Sequence, residues 1–253
     1  MKALRTALKY LFITVAWLGL WWGISAAVGN EVILPSPIEV FLRAGELAVL
    51  PKFWLSIAFS FVRVIFGVVC ATVASILLAA TAFKWRTVYD IIKPVATVIK
   101  ATPVVSFIFI AFIIFRNNFD ALPAFISGLI VFPVMYESIH ASLKATPTEL
   151  IEVSQVFGCT FYERVRYLWV PSVLPNFITS SKTSIGLAWK SGIAAEALVA
   201  IPTLISIGTE VSEAKRWLET LDQFVWTLTV IILSLLSELL FSFIAKKITD
   251  KIL

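Results

Sequence analysis

Cysteine, histidine and charged residues are scarce in this chain of 253 residues. Only 15% of the residues are charged, and the chain holds two cysteines and one histidine. Cys70 lies in an apolar run and Cys159 in a polar segment, so no disulfide is predicted. With one histidine, no cysteine–histidine cluster and no serine motif, the sequence predicts neither a metal site nor a cofactor nor a catalytic centre. A membrane enzyme is therefore a weak alternative.

Hydrophobic residues take the place of the missing charges. They make up 59% of the chain, which includes 20 phenylalanines and 9 tryptophans, and the mean hydropathy is +0.93. Soluble domains of this length do not have such a composition, so we predict an all-α integral membrane protein with one transmembrane domain over residues 1–253. The net charge of +5 is attributed to loops at the membrane surface rather than to nucleic-acid binding.

Six apolar runs are long enough to cross a hydrocarbon core of about 30 Å at about 1.5 Å per helical residue. The six predicted spans are residues 10–28, 54–83, 95–115, 121–140, 173–200 and 224–245. The first follows three basic residues but is longer than the apolar region of a signal peptide, so we expect it to remain as a helix. Three prolines, Pro103, Pro123 and Pro133, are expected to bend the third and fourth spans.

Two spans carry a small residue at every fourth position. The second has Gly67, Ala71, Ser75 and Ala79, and the fifth has Ser180, Ser184, Ala188 and Gly192. Small residues let helices approach closely in lipid, where little hydrophobic force drives them together. We expect these stripes to pack within one subunit, and a subunit interface or a translocation path is the alternative.

Lysine and arginine are unevenly divided between the segments that connect the spans. With the N-terminus placed in the cytoplasm, the cytoplasmic segments hold twelve of them and the external segments five. Because cytoplasmic segments carry the excess of Lys and Arg, both termini are predicted to be cytoplasmic. The external segments are then about residues 29–53 and 201–223, and the core of the domain spans about residues 52–247.

The longest polar interruption, residues 146–171, joins the fourth and fifth spans on the predicted cytoplasmic side. Two capping boxes predict two short helices within it, with Pro147 in the first turn of the first helix. The boxes are formed by Thr146 with Glu149 and by Thr160 with Glu163. Gly158 between them is predicted to adopt the left-handed conformation that ends the first helix.

The first of these helices presents an apolar face next to carboxylates. The face consists of Leu150, Val153, Ser154 and Phe157 at helical spacing, and the carboxylates are Glu149 and Glu152. Such a surface suits a partner protein that carries Lys or Arg. An ordinary amphipathic helix that lies on the membrane is the alternative.

The same segment resembles a known motif. It reads Glu152-Val153-Ser154, three residues, Gly158, nine residues and Leu168-Trp169-Val170-Pro171. This spacing is similar to the EAA motif, E-A-A-x3-G-x9-I-x-L-P, of the membrane subunits of ABC importers, with valine and serine in place of the two alanines. In that family the segment is the coupling helix, which sits in a groove of a cytoplasmic ATPase subunit. The resemblance implies ATPase-coupling roles for Glu149, Glu152, Ser154, Phe157, Gly158 and Pro171.

Other segments are similar to one branch of this family, the nitrate/sulfonate/taurine-type permeases. They are residues 33–37 (ILPSP), 60–67 (SFVRVIFG), 186–190 (GLAWK), 194–196 (AAE) and 207–208 (IG). The resemblance covers roughly residues 30–245. It implies the type I ABC importer (MetI-like) permease fold in a bacterial inner membrane, and import of a small, nitrate-, sulfonate- or taurine-like solute.

The resemblance also implies partners. One six-span subunit resembles half of a permease core, so a homodimer surrounded by membrane lipid is expected. The chain lacks a Walker A sequence, G-x4-G-K-[ST], so ATP hydrolysis is expected on two separate ATPase subunits. An external solute-binding protein would deliver the solute, and closure of the ATPase dimer would switch the permease from an inward-facing to an outward-facing state.

Four ionisable residues lie well within the spans, where they need a partner or water. They are Arg63 in the second span and Lys182, Lys190 and Glu196 in the fifth. One interpretation is a candidate translocation path, in which Lys190 is the main residue of a cationic route for an anion. The structural interpretation, which the sequence favours, is that Lys190 pairs with Glu196 or with a carboxylate of a neighbouring helix.

A secondary transporter or channel with its own coupling ion is the remaining alternative. Such proteins need a site for that ion, and they commonly contain an inverted repeat or broken helices. Neither a repeat nor a broken helix is recognisable in the sequence, so the ABC importer permease is the preferred interpretation.

Overall fold

The computed structural model describes residues 2–201 and 203–252, and these residues form helices joined by short connections. Met1, Pro202 and Leu253, which the predicted domain includes, lie outside the described residues. The helices are α1 (Lys2–Val28), α2 (Pro37–Ala48), α3 (Pro51–Lys84), α4 (Arg86–Ala101), α5 (Val104–Ile114), α6 (Ala121–Lys144), α7 (Thr148–Val156), α8 (Phe161–Arg164), a π-helical segment (Val165–Trp169), α9 (Val170–Val199), α10 (Ile207–Trp217) and α11 (Thr220–Ile252). No strand occurs among the described residues, and the all-α prediction is confirmed.

Four of the described helices, α1, α3, α6 and α11, are long and apolar enough to cross a membrane. The α4–α5 pair meets the same criterion only as a unit, and its two helices are bent by 106° relative to each other. The 30 residues of α9 are long enough, but its serines, threonines and charged residues make it more polar than the other four. The number of six spans therefore stays a prediction.

The third predicted span, residues 95–115, is interrupted more strongly than the bend expected from Pro103. Thr102 follows α4 in extended backbone, with φ −87° and ψ 135°, which is the conformation that a residue before proline prefers. Pro103 has no backbone N–H with which to continue the helix, so α5 starts as a separate helix. The α4–α5 pair is thus a broken helix, a feature that the sequence analysis did not recognise.

Small residues hold α3, α6 and α9 together as the centre of the bundle. All eight residues of the two predicted stripes are buried. A Cβ on Gly67 would lie 2.2 Å from the backbone oxygen of Ala124, and a Cβ on Gly192 would lie 2.5 Å from Ser127 Oγ. The stripes therefore pack within one subunit, as predicted, and larger side chains would push these helices apart.

α1 and α11 lie at the outside of the bundle. Trp21 Nε1 of α1 donates to the backbone oxygen of Pro35 at 3.1 Å, but Phe12 and other large apolar side chains of α1 are exposed. α11 is anchored where Trp189 Nε1 donates to Ser237 Oγ at 3.1 Å. Its opposite face exposes leucine, isoleucine and phenylalanine.

The bundle has two different ends. The α7 end contains α7, α8 and the C-termini of α3 and α6. The α10 end contains α2, α10 and the N-termini of α3 and α11. Ion pairs tie the second end together: Arg43 Nε lies 2.6 Å from Asp222 Oδ1, and Lys52 Nζ lies 2.8 Å from Glu210 Oε1. Neither α2 nor α10 was predicted from the sequence.

Candidate functional site

The polar segment between α6 and α9 leaves apolar side chains uncovered on α7. Leu150 and Val153 are each 50% exposed, and Phe157 is 80% exposed. Glu149 and Glu152 are exposed on the same short helix. Among the described residues, no Lys or Arg lies within ion-pair distance of either carboxylate. An apolar surface with unpaired carboxylates is thus open to a partner.

A left-handed glycine and a capping box shape the chain after α7. Gly158 has a φ of +65°, which confirms the predicted end of the helix. The Thr160 backbone N–H donates to Glu163 Oε2 at 2.7 Å, and Thr160 Oγ1 accepts from the Glu163 backbone N–H at 3.3 Å. The second capping box is thereby confirmed. The hydrogen bond from the Thr160 backbone lowers the pKa of Glu163.

The first predicted capping box is wrong. Thr146 is buried, and its hydroxyl donates to Ser172 Oγ at 3.4 Å instead of capping α7. α7 begins at Thr148 without a side-chain cap. Ser154 is half-buried, and its hydroxyl donates to the backbone oxygen of Ile151 in the same helix at 2.6 Å. Pro171 is the second residue of α9 and directly follows the π-helical segment and Val170.

α8 and the π-helical segment continue directly into α9. α8, the π-helical segment and α9 follow one another with no residue between them. The Trp169 ring lies 5.8 Å from Phe83 of α3 and 5.8 Å from Phe161 of α8, measured between ring centroids. π-helical turns are rare and often mark functional sites.

At the α10 end, Glu196 is the centre of a buried polar cluster. Its side chain is fully buried near the C-terminus of α9. Ser60 Oγ donates to Glu196 Oε2 at 2.7 Å, and Arg63 Nη1 lies 3.4 Å from Glu196 Oε1. Arg63 also pairs with Asp120 through its Nε at 3.1 Å, and it donates to the backbone oxygen of Ile205 at 3.0 Å. We call Ser60, Arg63, Asp120 and Glu196 the Glu196 cluster.

The first turn of α10 is fastened to this cluster. The Gly208 backbone N–H donates to Glu196 Oε2 at 3.2 Å, and the Ile207 backbone N–H donates to Ser60 Oγ at 2.9 Å. A carboxylate is favoured there because helix N-termini carry unpaired N–H groups and partial positive charge. A Cβ on Gly208 would lie 2.3 Å from Glu196 Cβ, so only glycine fits.

The proposed pairing of Lys190 with Glu196 is wrong. Glu196 is occupied by Ser60, Arg63 and Gly208, and none of its contacts involves Lys190. Six residues of helix rotate the side chain by about 240°, so these two residues point to different sides of α9. Lys190 is exposed, and within the described part of the chain no carboxylate lies within ion-pair distance of it or of Lys182.

The four candidate path residues do not form one cationic site. Arg63 and Glu196 are in contact, but Arg63 already faces two carboxylates, so its charge is not free for an anion. Lys190 lies on a different, uncovered face of α9, and Lys182 is half-buried beside it. The uncovered face contains Asn176, Thr179, Thr183 and Lys190. These positions repeat at three, four and seven residues, which is the spacing of one helix face.

An open groove of about 680 Å³ runs between α3 and α6 beside the Glu196 cluster. Apart from Arg63, Asn118 and Asp120 at one end, its lining is almost entirely apolar. Within the described part of the chain, no three His, Cys, Asp or Glu side chains come close enough together to hold a metal ion. The groove thus offers an apolar surface and no ligand set for a metal.

Comparison with known proteins gives consistent matches. Residues 71–252 match the family described as binding-protein-dependent transport system inner membrane component. Formylaminopyrimidine transport permease protein ThiX of Halalkalibacterium halodurans is 27% identical over 188 residues, which are 74% of this chain and 72% of that protein. Nitrate import permease protein NrtB of Synechococcus elongatus is 23% identical over 207 residues, 78% and 74% of the two chains.

Solved structures show the same fold at low sequence identity. A chain of the MetNI methionine ABC transporter in an inward-facing conformation superposes with a TM-score of 0.52 at 20% identity, covering 79% of this chain and 94% of that one. A chain of an amino acid ABC transporter gives a TM-score of 0.55 at 14% identity, covering 83% and 96%. The chain has the MetI-like permease fold and is a multi-pass membrane protein. It belongs to the family of binding-protein-dependent transport system inner membrane components, the permease subunits of ABC importers.

Proposed function

We propose that this permease imports a small anionic solute, similar to nitrate, a sulfonate or taurine, with energy from a separate ATPase subunit that docks on α7. The observation that carries the docking is the uncovered face of Leu150, Val153 and Phe157 next to Glu149 and Glu152. This face lies on the segment with EAA-type spacing. It suits an apolar groove rimmed by Lys or Arg.

The proposed orientation places the α7 end in the cytoplasm and the α10 end outside. Both termini are then cytoplasmic, and α2 and α10 lie within external segments of a single transmembrane domain. The Lys and Arg excess on the α7 side supports this orientation. A solute-binding protein would meet the α10 end, and two ATPase subunits would meet the α7 ends of two permease copies.

The proposed coupling runs from α7 into α9. Because α8, the π-helical segment and α9 are continuous, a push on α7 would turn or shift the start of α9 relative to α3. Trp169 between Phe83 and Phe161 is the contact that would change first. The Glu196 cluster at the other end of α9 keeps α10 attached, so the two ends of the bundle would respond together.

The proposed path follows the uncovered face of α9. Asn176, Thr179, Thr183 and Lys190 are exposed on a helix whose other sides are packed against α3, α6, α10 and α11. Polar side chains at membrane depth need water or a polar partner. In a homodimer this face would line a hydrated passage between two copies, where Lys190 would attract an anion.

A crosslinking experiment tests the docking face. Phe157→Cys is prepared in a Cys70→Ala/Cys159→Ala background and assembled with its ATPase. Val49→Cys, 81% exposed at the α10 end, is the matched control. We expect a short heterobifunctional reagent, with a maleimide at one end and an amine-reactive ester at the other, to link Phe157→Cys, and not Val49→Cys, to a lysine of the ATPase subunit. A freely labelled but never crosslinked Phe157→Cys in the assembled complex would contradict the proposed docking.

A further inference from the structure

A second cavity lies at the α7 end and has no part in the proposed docking or path. It measures about 620 Å³ and lies between the C-terminal turns of α3, the end of α6 and the α8–π–α9 segment. Every lining residue except Lys84 is apolar. Its size falls in the range of about 300–1,000 Å³ that is typical of small-molecule sites.

Water is a poor occupant of this cavity. At about 30 Å³ per molecule it would hold about twenty waters, and each ordered water needs two to four polar partners. The walls are built from side chains such as Ile76, Phe83, Leu143 and Phe177, which offer none. An apolar chain would cover these walls and gain the free energy of burial in proportion to the covered area.

The cavity is open to the surroundings of the helices. Ile76 on one wall is 42% exposed, and Phe161 on another is 68% exposed. α3 is a membrane-crossing helix by length and composition, and the cavity lies along its last turns. Through these exposed walls an acyl chain could enter the cavity from the side without crossing protein.

Two basic side chains that have no carboxylate partner among the described residues lie at or next to the cavity. Lys84 lines it, and in the described part of the chain no carboxylate lies within ion-pair distance of this lysine. Arg164, next to the lining residue Val165, has a buried Nε without a hydrogen-bond partner. The neighbouring carboxylate, that of Glu163, is already held by Thr160. The buried Nε1 of the lining residue Trp169 also lacks an acceptor.

We propose that this cavity binds one acyl chain of an anionic phospholipid, whose phosphate-bearing headgroup is held by Lys84. Apolar walls take the chain, and the lysine complements the negative headgroup at the membrane surface. The proposal does not depend on which side of the membrane the α7 end faces. Because three walls belong to α3, α6 and the start of α9, the lipid would fill the space in which α9 moves against α3.

Photolabelling tests the site directly. The purified permease–ATPase complex is placed in phosphatidylcholine nanodiscs that contain phosphatidylglycerol with a photoreactive acyl chain, and the labelled peptides are mapped. We expect label within residues 76–84 and 161–177. Ala80→Phe, which puts a ring into the cavity, should abolish this label. The matched control Leu77→Phe, on the same helix but outside the cavity, should retain it.

The headgroup contact is tested by competition. Excess unlabelled phosphatidylglycerol should displace the label more strongly than phosphatidylcholine, and Lys84→Gln should reduce this preference about fivefold, the effect of one basic residue near an anionic surface. Lys93→Gln, which changes an exposed lysine of α4 outside the lining, is the control and should leave the preference unchanged.

Equal labelling of Ala80→Phe and Leu77→Phe would overturn the proposal. So would a cysteine at Ala80 that crosslinks to the ATPase or to a second permease copy, because protein would then cover the cavity.

Discussion

The two faces of α9 differ in how they accommodate polar groups. The packed face carries the small residues Ser180, Ser184, Ala188 and Gly192 and ends at Glu196, whose carboxylate has three partners. The uncovered face carries Asn176, Thr179, Thr183 and Lys190. One face therefore compensates its charge inside the subunit, and the other leaves its charge without an ion-pair partner among the described residues.

This difference separates structural from functional charges on one helix. A buried carboxylate that is hydrogen-bonded and ion-paired is costly to disturb, because its partners would stay buried without it. An exposed lysine without an ion pair contributes little to folding. A charge at membrane depth costs free energy, and this cost must be offset by water or by another role of the lysine. Glu196 is thus the expected stability determinant, and Lys190 is the expected transport determinant.

The largest effect is expected from Glu196→Ala. The change removes the acceptor of Ser60 and Gly208 and one of the two carboxylates that face Arg63. Each buried donor that is left without its acceptor costs about 1–3 kcal/mol. We expect a large drop in the unfolding temperature of the detergent-purified subunit, measured by thermal denaturation. Glu196→Gln keeps an acceptor for the hydrogen bonds and should lower the unfolding temperature less. An equal drop for the two variants would show that only the loss of the charge matters.

A smaller effect is expected from Gly208→Ala, which tests how α10 is attached. The added methyl group would overlap Glu196, with its Cβ 2.3 Å from Glu196 Cβ and 2.5 Å from the Ala197 backbone nitrogen. Overpacking of this kind costs about 1–3 kcal/mol. Thermal denaturation should show a lower midpoint, and the protease sensitivity of the segment between α9 and α10 should rise. Gly45→Ala in α2 is the control, because a Cβ there meets nothing within 4 Å. An unchanged midpoint for Gly208→Ala would contradict the close packing.

Local signals in the sequence predicted the local parts of this site. Gly158 and the pair Thr160 and Glu163 act on residues three or fewer positions away, so capping rules found them. The small-residue stripes were found because helix periodicity places every fourth residue on nearly the same face. The same rules could have found α2, because Ser36 and Glu39 form a capping box in which the Ser36 backbone N–H lowers the pKa of Glu39.

Contacts between distant segments could not be derived in this way. Ser60 and Glu196 are separated by 136 residues, and only the packing of α3 against α9 brings them together. The resemblance drew attention to residues 60–67 and 207–208, but it did not show that they meet at one carboxylate. Thr146 satisfied a capping pattern and yet bonds to Ser172, because a buried contact with α9 competes with the local cap.

Lys190→Met should separate transport from stability. Surface substitutions away from packed features change stability by about 0.5 kcal/mol or less, so the unfolding midpoint should stay unchanged. Uptake in reconstituted vesicles should fall by about tenfold or more, since hydrogen bonds to charged groups contribute about 1.5–3 kcal/mol. Lys190→Arg should retain part of the activity, and Lys215→Met, exposed on α10, should retain all of it. Full uptake with Lys190→Met would remove the anion route along α9.

The smallest effect is expected from Thr183→Cys, which asks whether water reaches the uncovered face of α9. The Thr183 hydroxyl donates only to the backbone oxygen of Thr179 in its own helix, at 3.4 Å, so stability and uptake should be nearly unchanged. In the Cys70→Ala/Cys159→Ala background, a membrane-impermeant maleimide should label Thr183→Cys in the assembled transporter, and ATP binding should change the labelling rate as the passage opens to the other side. Leu236→Cys on the exposed face of α11 is the matched control, because 55% of that leucine is exposed but lipid would keep the reagent away. If the two cysteines react at the same slow rate in every nucleotide state, the polar face of α9 is not hydrated, and the distinction between the two faces reduces to packing alone.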